Sequence, residues 1–221
     1  MTRAKLWMLA AGLPLALSTA LAGDWPQFHG PGGSGLGDGT KPPVRWDAVK
    51  GSNIAWKTEI PGLADSSPVV WGDRVFVTTA ISSDPKQGFR TGLYGDTDSV
   101  NDSSPHKWNV LAVDKRTGKI LWEQTAHEGV PRTKRHPKSS QASPSPATDG
   151  KVVVAYFGSE GLYAYSTEGK LLWTKDLGLQ NAGWFFDPDS EWGAASSPVI
   201  YQHMVILQCD RRKTHSSPHS I

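Results

Sequence analysis

Few residues in this chain are spaced as catalysis or metal binding requires. Gly30-Pro31-Gly32-Gly33-Ser34-Gly35 spells a dinucleotide-type glycine loop. Such a loop works by leading a strand into a helix whose N-terminus holds a pyrophosphate. No strand pattern precedes it and no helix pattern follows, so a flexible loop is expected. Asp96, Asp98, Asn101 and Asp102 offer oxygen ligands, but a calcium loop of the EF-hand type wants ligands at alternate positions and glycine sixth. Val100 stands fifth and Asn101 sixth, which predicts a solvated loop. His127-Glu128 opens like a zinc-protease H-E-x-x-H, yet Pro131 occupies the second histidine position. Gly158-Ser159-Glu160-Gly161 lacks the spacing of a nucleophile elbow. His29, His106, His136 and His203 are scattered and read as surface or hydrogen-bonded residues. Cys209 is the sole cysteine, so neither an internal disulfide nor a multi-cysteine zinc site can form. It ends an apolar run, Met204 to Leu207, and is expected as a packed thiol. No catalytic residue and no metal ligand is assigned.

Two long polar segments carry richer chemistry. Residues 126–143 contain His136 and Lys138, and residues 177–195 contain Trp184, Phe185, Asp187, Asp189 and Trp192. Aromatic rings beside carboxylates suit a sugar, a quinone-like ring or a peptide. Candidate binding residues are therefore His136, Lys138, Trp184, Asp187, Asp189 and Trp192. The competing explanation is that these side chains only pack the segments down. A smaller basic cluster, Lys134, Arg135 and Lys138, reads as a solvated loop.

The elements that would position these segments are short strands. Glycine (23), proline (16) and tryptophan (10) are plentiful. Apolar runs are brief, rich in Val, Ile and aromatics, and bounded by Gly, Asp, Ser and Pro, which indicates an all-β chain. The runs also recur. Ile54-Ala55-Trp56-Lys57 matches Ile120-Leu121-Trp122-Glu123 and Leu171-Leu172-Trp173-Thr174. Ser66-Ser67-Pro68-Val69-Val70 matches Ser145-Pro146-Ala147 and Ser196-Ser197-Pro198-Val199-Ile200. Each unit reads Trp-strand, loop, Ser-Pro strand, tight turn, strand, strand, turn, with a polar insertion over 81–107. Four-stranded units of ~40–50 residues in tandem are the signature of β-propeller blades. A β-sandwich would not need the same landmarks in the same order. The two long segments would then emerge on one face, at equivalent places in successive blades, where a rigid scaffold usually carries binding.

The sharpest unit is Ala112-Val113-Asp114-Lys115-Arg116-Thr117-Gly118-Lys119-Ile120-Leu121-Trp122. Asp114 can cap backbone N–H groups two and three residues on, and Gly118 supplies a positive φ. This stretch resembles the tryptophan-docking motif of pyrroloquinoline-quinone-type (PQQ-like) repeats, with Ala112, Asp114, Thr117, Gly118 and Trp122 at the motif positions. A degraded copy keeps Ala164, Gly169 and Trp173, with Ser166 for Asp and one turn residue missing. The opening Asp24-Trp25-Pro26-Gln27-Phe28-His29-Gly30-Pro31 also resembles the start of exported members. The resemblance covers residues 24 to about 210. It implies a propeller in which each tryptophan stacks on the neighbouring blade. It also implies two roles: a non-enzymatic scaffold or binding protein similar in repeat type to the propeller of the outer-membrane assembly machinery, or part of a quinoprotein dehydrogenase using PQQ and calcium on alcohols or sugars. The single cysteine excludes the adjacent-cysteine disulfide of many alcohol-oxidising relatives, and no calcium set or catalytic Asp can be assigned.

Organisation follows. Residues 1–22 read as a cleaved secretory signal: Arg3 and Lys5, an apolar stretch from Leu6 to Leu17, and Ala20-Leu21-Ala22 before Gly23. The apolar stretch is shorter than the ~20 residues a membrane span needs. A periplasmic or secreted location without a membrane span is expected. Residues 23–53 form a lead-in, 54–210 the repeats of an incomplete propeller, and 211–221 an unpatterned tail that reads as a truncation or frame change. Net charge is +2 for the whole chain, and without Arg3 and Lys5 acids and bases balance. Bulk-charge binding to nucleic acid is therefore not expected. The expected partner is a protein or small molecule at the loop face.

Overall fold

A computed structural model describes residues 23–37, 39, 41–86, 88–89, 98–183 and 190–211. Residues 1–22, read above as a secretory signal, and most of the tail lie outside the described residues. The described residues form an all-β fold of three antiparallel sheets, a partial β-propeller. The first sheet orders β1 (Val69–Trp71), β2 (Arg74–Ser82), β3 (His106–Asp114) and β4 (Ile120–Gly129). The second repeats that order with β5 (Ala147–Thr148), β6 (Val152–Tyr156), β7 (Leu162–Ser166) and β8 (Leu171–Lys175). The third holds the pair β9 (Val199–Tyr201) and β10 (Met204–Ile206).

The blades are cut differently from the sequence units. Trp122 lies on β4, which pairs with β3 as the last strand of its own sheet. The Trp-strand therefore closes a blade rather than opening one. Ile54 to Ile60 belongs to none of the named strands. Its alternating exposure is nevertheless that of an extended strand.

Both faces of β6 and β7 in the second sheet are buried, while β8 is exposed, and the period-2 geometry of a strand divides its side chains between the faces. Val153 and Ala155 face the first blade, packed with Val69, Phe76, Trp108 and Val110. Val154 and Tyr156 face the third, against Ile200, Val205 and Leu207. This is why β6 reads as a continuous apolar run rather than an alternation. Ala112 opposes Trp122, Ala164 opposes Trp173, and a bulge follows the alanine in both sheets. A small residue opposite each indole leaves room for it, and the bulge re-aims the strand.

Antiparallel connectivity sorts the connections onto two faces. The tight turns 71–74, 114–119, 166–170 and 201–204 lie on one. The long segments 83–105, 130–146 and 176–198 lie on the other. The strands run further than the sequence suggests: β4 continues to Gly129, so His127 and Glu128 are strand residues, with His127 opposite Trp108.

Candidate functional site: a pocket at the blade axis

The tryptophans fix how the blades sit. Asp114 Oδ1 accepts hydrogen bonds from the N–H of Arg116 and Thr117 (3.0 and 2.7 Å) and from Thr117 Oγ1 (2.8 Å). The Thr117 hydroxyl and backbone hold the Asp114 carboxyl below the usual range. The turn ends at Gly118, φ 73°. The Trp56 indole lies on that glycine: a Cβ there would stand 2.7 Å from Cδ2. Trp56 Nε1 donates to Lys115 O at 2.8 Å. The next blade repeats the geometry. Trp122 covers Gly169, where a Cβ would stand 2.8 Å from Cδ2. Its Nε1 donates to Thr167 O at 2.9 Å. Ser166 Oγ replaces the Asp114 carboxylate, accepting from the N–H of Glu168 and Lys170. Trp122 stands between Phe76 of its own blade and Tyr165 of the next, with ring centroids 6.1 and 6.2 Å away. Trp173 is 41% exposed.

A second set of inter-blade bonds runs along the inner ends. Ser67, Ser145 and Ser197 each precede the proline that leads into an inner strand. Ser67 N–H donates to Ser145 Oγ (2.8 Å), and Ser145 N–H donates to Ser197 Oγ (2.9 Å). The recurring Ser-Pro is thus a hydrogen-bonded chain from blade to blade. The lead-in reinforces it. Trp25 exchanges both backbone hydrogen bonds with Val70 of β1, and Pro26 O accepts from Thr148 N–H of β5.

The long segments interlock above this ring. His136 N–H donates to Trp192 O, Lys134 N–H to Glu191 Oε2, and Val100 N–H to Arg135 O. Ser99 Oγ donates to Glu191 O at 2.8 Å. The two segments singled out in the sequence do meet, joined by the insertion. His136 and Trp192 are brought together through backbone, while Lys138 lies at the mouth of a pocket. Trp184, Asp187 and Asp189, with Phe185 and Asp96, lie outside the described residues.

That pocket, about 650 Å³, sits where the inner strands begin. Its wall includes Phe28 from the lead-in, Asp65 from the approach to β1, Lys138, Gln208 and serines from the segments leading into β5 and β9. Burial pushes the Asp65 carboxyl up, and hydrogen bonds from Ser143 and Ser140 and the nearby Arg135 charge work against that. Sequence reasoning missed Asp65 and Phe28. The signal available was Asp65 directly before the first Ser-Ser-Pro.

Three expectations are corrected. Arg135 is not solvated: it is 2% exposed, donating to Ser139 O and Gly88 O. Its guanidinium ties the segments together. Asp102 is buried rather than part of a solvated loop: its Oδ2 lies 3.3 Å from His106 Nε2 and accepts from Ser82 Oγ at 3.0 Å. Ser82 donates to the carboxylate rather than to the imidazole, so the trio does not make an activated nucleophile. Cys209 is exposed, not packed: the strand β10 ends at Ile206, before it. Among the described residues no group of three or more His, Cys, Asp or Glu converges as a metal site requires. No described helix is long and apolar enough to cross a membrane.

Residues 106–214 match the family model described as outer membrane protein assembly factor BamB, of the PQQ-like repeat type. No curated protein matches the chain.

Proposed function

Since residues 106–214 carry PQQ-like repeats of the BamB type, we propose that the chain is an exported, non-enzymatic binding propeller that takes its ligand or partner at the axial pocket. One observation carries this reading: three long segments interlock on one face, and two of them, with the lead-in and the approach to β1, wall a pocket there. A scaffold that spends this many hydrogen bonds ordering loops has a surface worth holding in one shape. Export is supported by the signal-like residues 1–22 and by the family description.

The quinoprotein alternative asks the pocket to take PQQ, a tricarboxylate. Its described wall offers one ammonium, Lys138, against one carboxylate, Asp65. That near-neutral wall does not fit a trianion, which wants several cationic or N–H donors. The test is direct. The protein is incubated with PQQ and Ca²⁺, desalted, and assayed for retained cofactor and for dye reduction with ethanol and glucose. The expected result is no retention and no turnover. Retention with turnover would replace the binding-protein reading by the dehydrogenase.

A further inference from the structure

The axial pocket has a composition that selects among ligand classes, and the inference drawn from it rests on the pocket being the binding site. Ammonium and carboxylate cancel across the wall, so a strongly charged ligand would leave one of them uncompensated. The remainder is hydroxyl and amide: Ser139, Ser143, Ser196 and Gln208. A hydroxyl donates and accepts by rotation, so it matches partners that do the same. Asp65 accepts a long bond from Ser143 Oγ, 3.4 Å, and hydrogen bonds from Ser140 and Ser139, and an ionised carboxylate has about four acceptor sites. Beside these polar groups the wall carries Ala195 and one aromatic surface, the Phe28 ring, 49% exposed.

The backbone of the inner strands also discriminates. A peptide added as a strand needs a free sheet edge. Val70 of β1 already exchanges both its backbone bonds with Trp25, and the Thr148 N–H of β5 is taken by Pro26 O. The lead-in thus occupies the edge a peptide strand would use, leaving a bowl rather than a groove. The volume of about 650 Å³ lies in the usual range for a small ligand.

We propose that the axial pocket is a saccharide site for a neutral mono- or disaccharide, in which Asp65 accepts from paired ring hydroxyls, Lys138 and the serines donate, and the Phe28 ring covers the sugar's apolar C–H face. No bond is made or broken; the sugar is bound and released unchanged.

The test is saturation-transfer NMR of the full chain with glucose, N-acetylglucosamine and cellobiose, with citrate and triglycine as charged and peptide probes. Expected is transfer to ring protons of at least one sugar and none to citrate or triglycine. Asp65→Asn should weaken that sugar at least about tenfold and Phe28→Ala several-fold, on the scale of one charge-assisted hydrogen bond and one stacking contact. Melting curves verify that both variants fold; Phe28 is exposed enough for its variant to be benign. If no sugar binds, the saccharide inference is overturned. If citrate or triglycine binds instead, weakened by Lys138→Ala, the sugar is wrong while the pocket stands as the site. Sugar binding indifferent to all three substitutions would overturn both the ligand's placement and the pocket.

Discussion

At the residue scale, two glycines and one glutamate make the sharpest predictions. Gly169 has φ 88° and lies under the Trp122 indole. Alanine there costs left-handed strain of ~1–2 kcal/mol and an overpacking term of ~1–3 kcal/mol. Gly72, φ 57°, has open space around it, so Gly72→Ala should cost only the strain. Urea denaturation of the two variants should therefore separate them by ~1–3 kcal/mol; equal losses would mean that the indole does not rest on Gly169. Glu160 is buried, and desolvation pushes its carboxyl up, offset in part by the Arg132 N–H. The native state thus holds the proton more tightly than the unfolded chain. That contribution to stability is present below the ordinary carboxylate range and is lost as pH rises through the raised native value. Glu160→Gln cannot ionise. Its melting temperature should gain on the wild type as pH rises from the ordinary carboxylate range through the raised native value, and then level off; parallel curves would refute the assignment.

These residues also mark what a sequence can disclose. The Asp114–Gly118 turn was readable because a turn's chemistry is local; that Trp56 covers it, while Trp122 covers Gly169, took the meeting of blades. The burial of Arg135 and Asp102 was not. Both look like surface charges in their own neighbourhood, and only the meeting of the 83–105 and 130–146 segments removes them from water. Cys209 failed the other way: an apolar run suggested a packed strand, but β9 and β10 have no third described strand beside them.

At the element scale, the recurring Ser-Pro was legible as a landmark but not as a bond. Proline fixes the approach to each inner strand and has no N–H. The serine before it therefore carries the donor that reaches the next blade. Ser197→Ala removes the acceptor for Ser145 N–H and should cost ~1–2 kcal/mol in chemical denaturation, the range for stranding a partly buried donor. A change within error would mean water replaces the hydroxyl without loss. The blade boundary was misread because repeat phase is arbitrary in a sequence. Only hydrogen bonding shows that Trp122 ends one sheet while its side chain serves the following one.

At the scale of the whole molecule, the lead-in changes meaning. Residues 23–53 carry few repeat landmarks and read as an approach to the fold. Yet Trp25 pairs with β1, Asp24 Oδ1 accepts from Gly72 N–H at 2.7 Å, and Phe28 reaches the pocket rim. A chain cleaved before Gly23, as the pattern of residues 1–22 predicts, would start within the fold. A processed chain recovered from a bacterial host should begin at Gly23 by N-terminal sequencing, one residue before the first of these bonds. Retention of Met1 would remove the support for export.

Two indoles rest on turns that lie 62 and 47 residues further along the chain: Trp56 on Gly118, Trp122 on Gly169. A chain delivered N-terminus first therefore completes each sheet before the seat for its tryptophan exists. Assembly proceeds like a zip fastener with a delay of one tooth, always leaving the most recent ring bare. That trailing aromatic is the surface on which a chaperone would recognise how far construction has advanced.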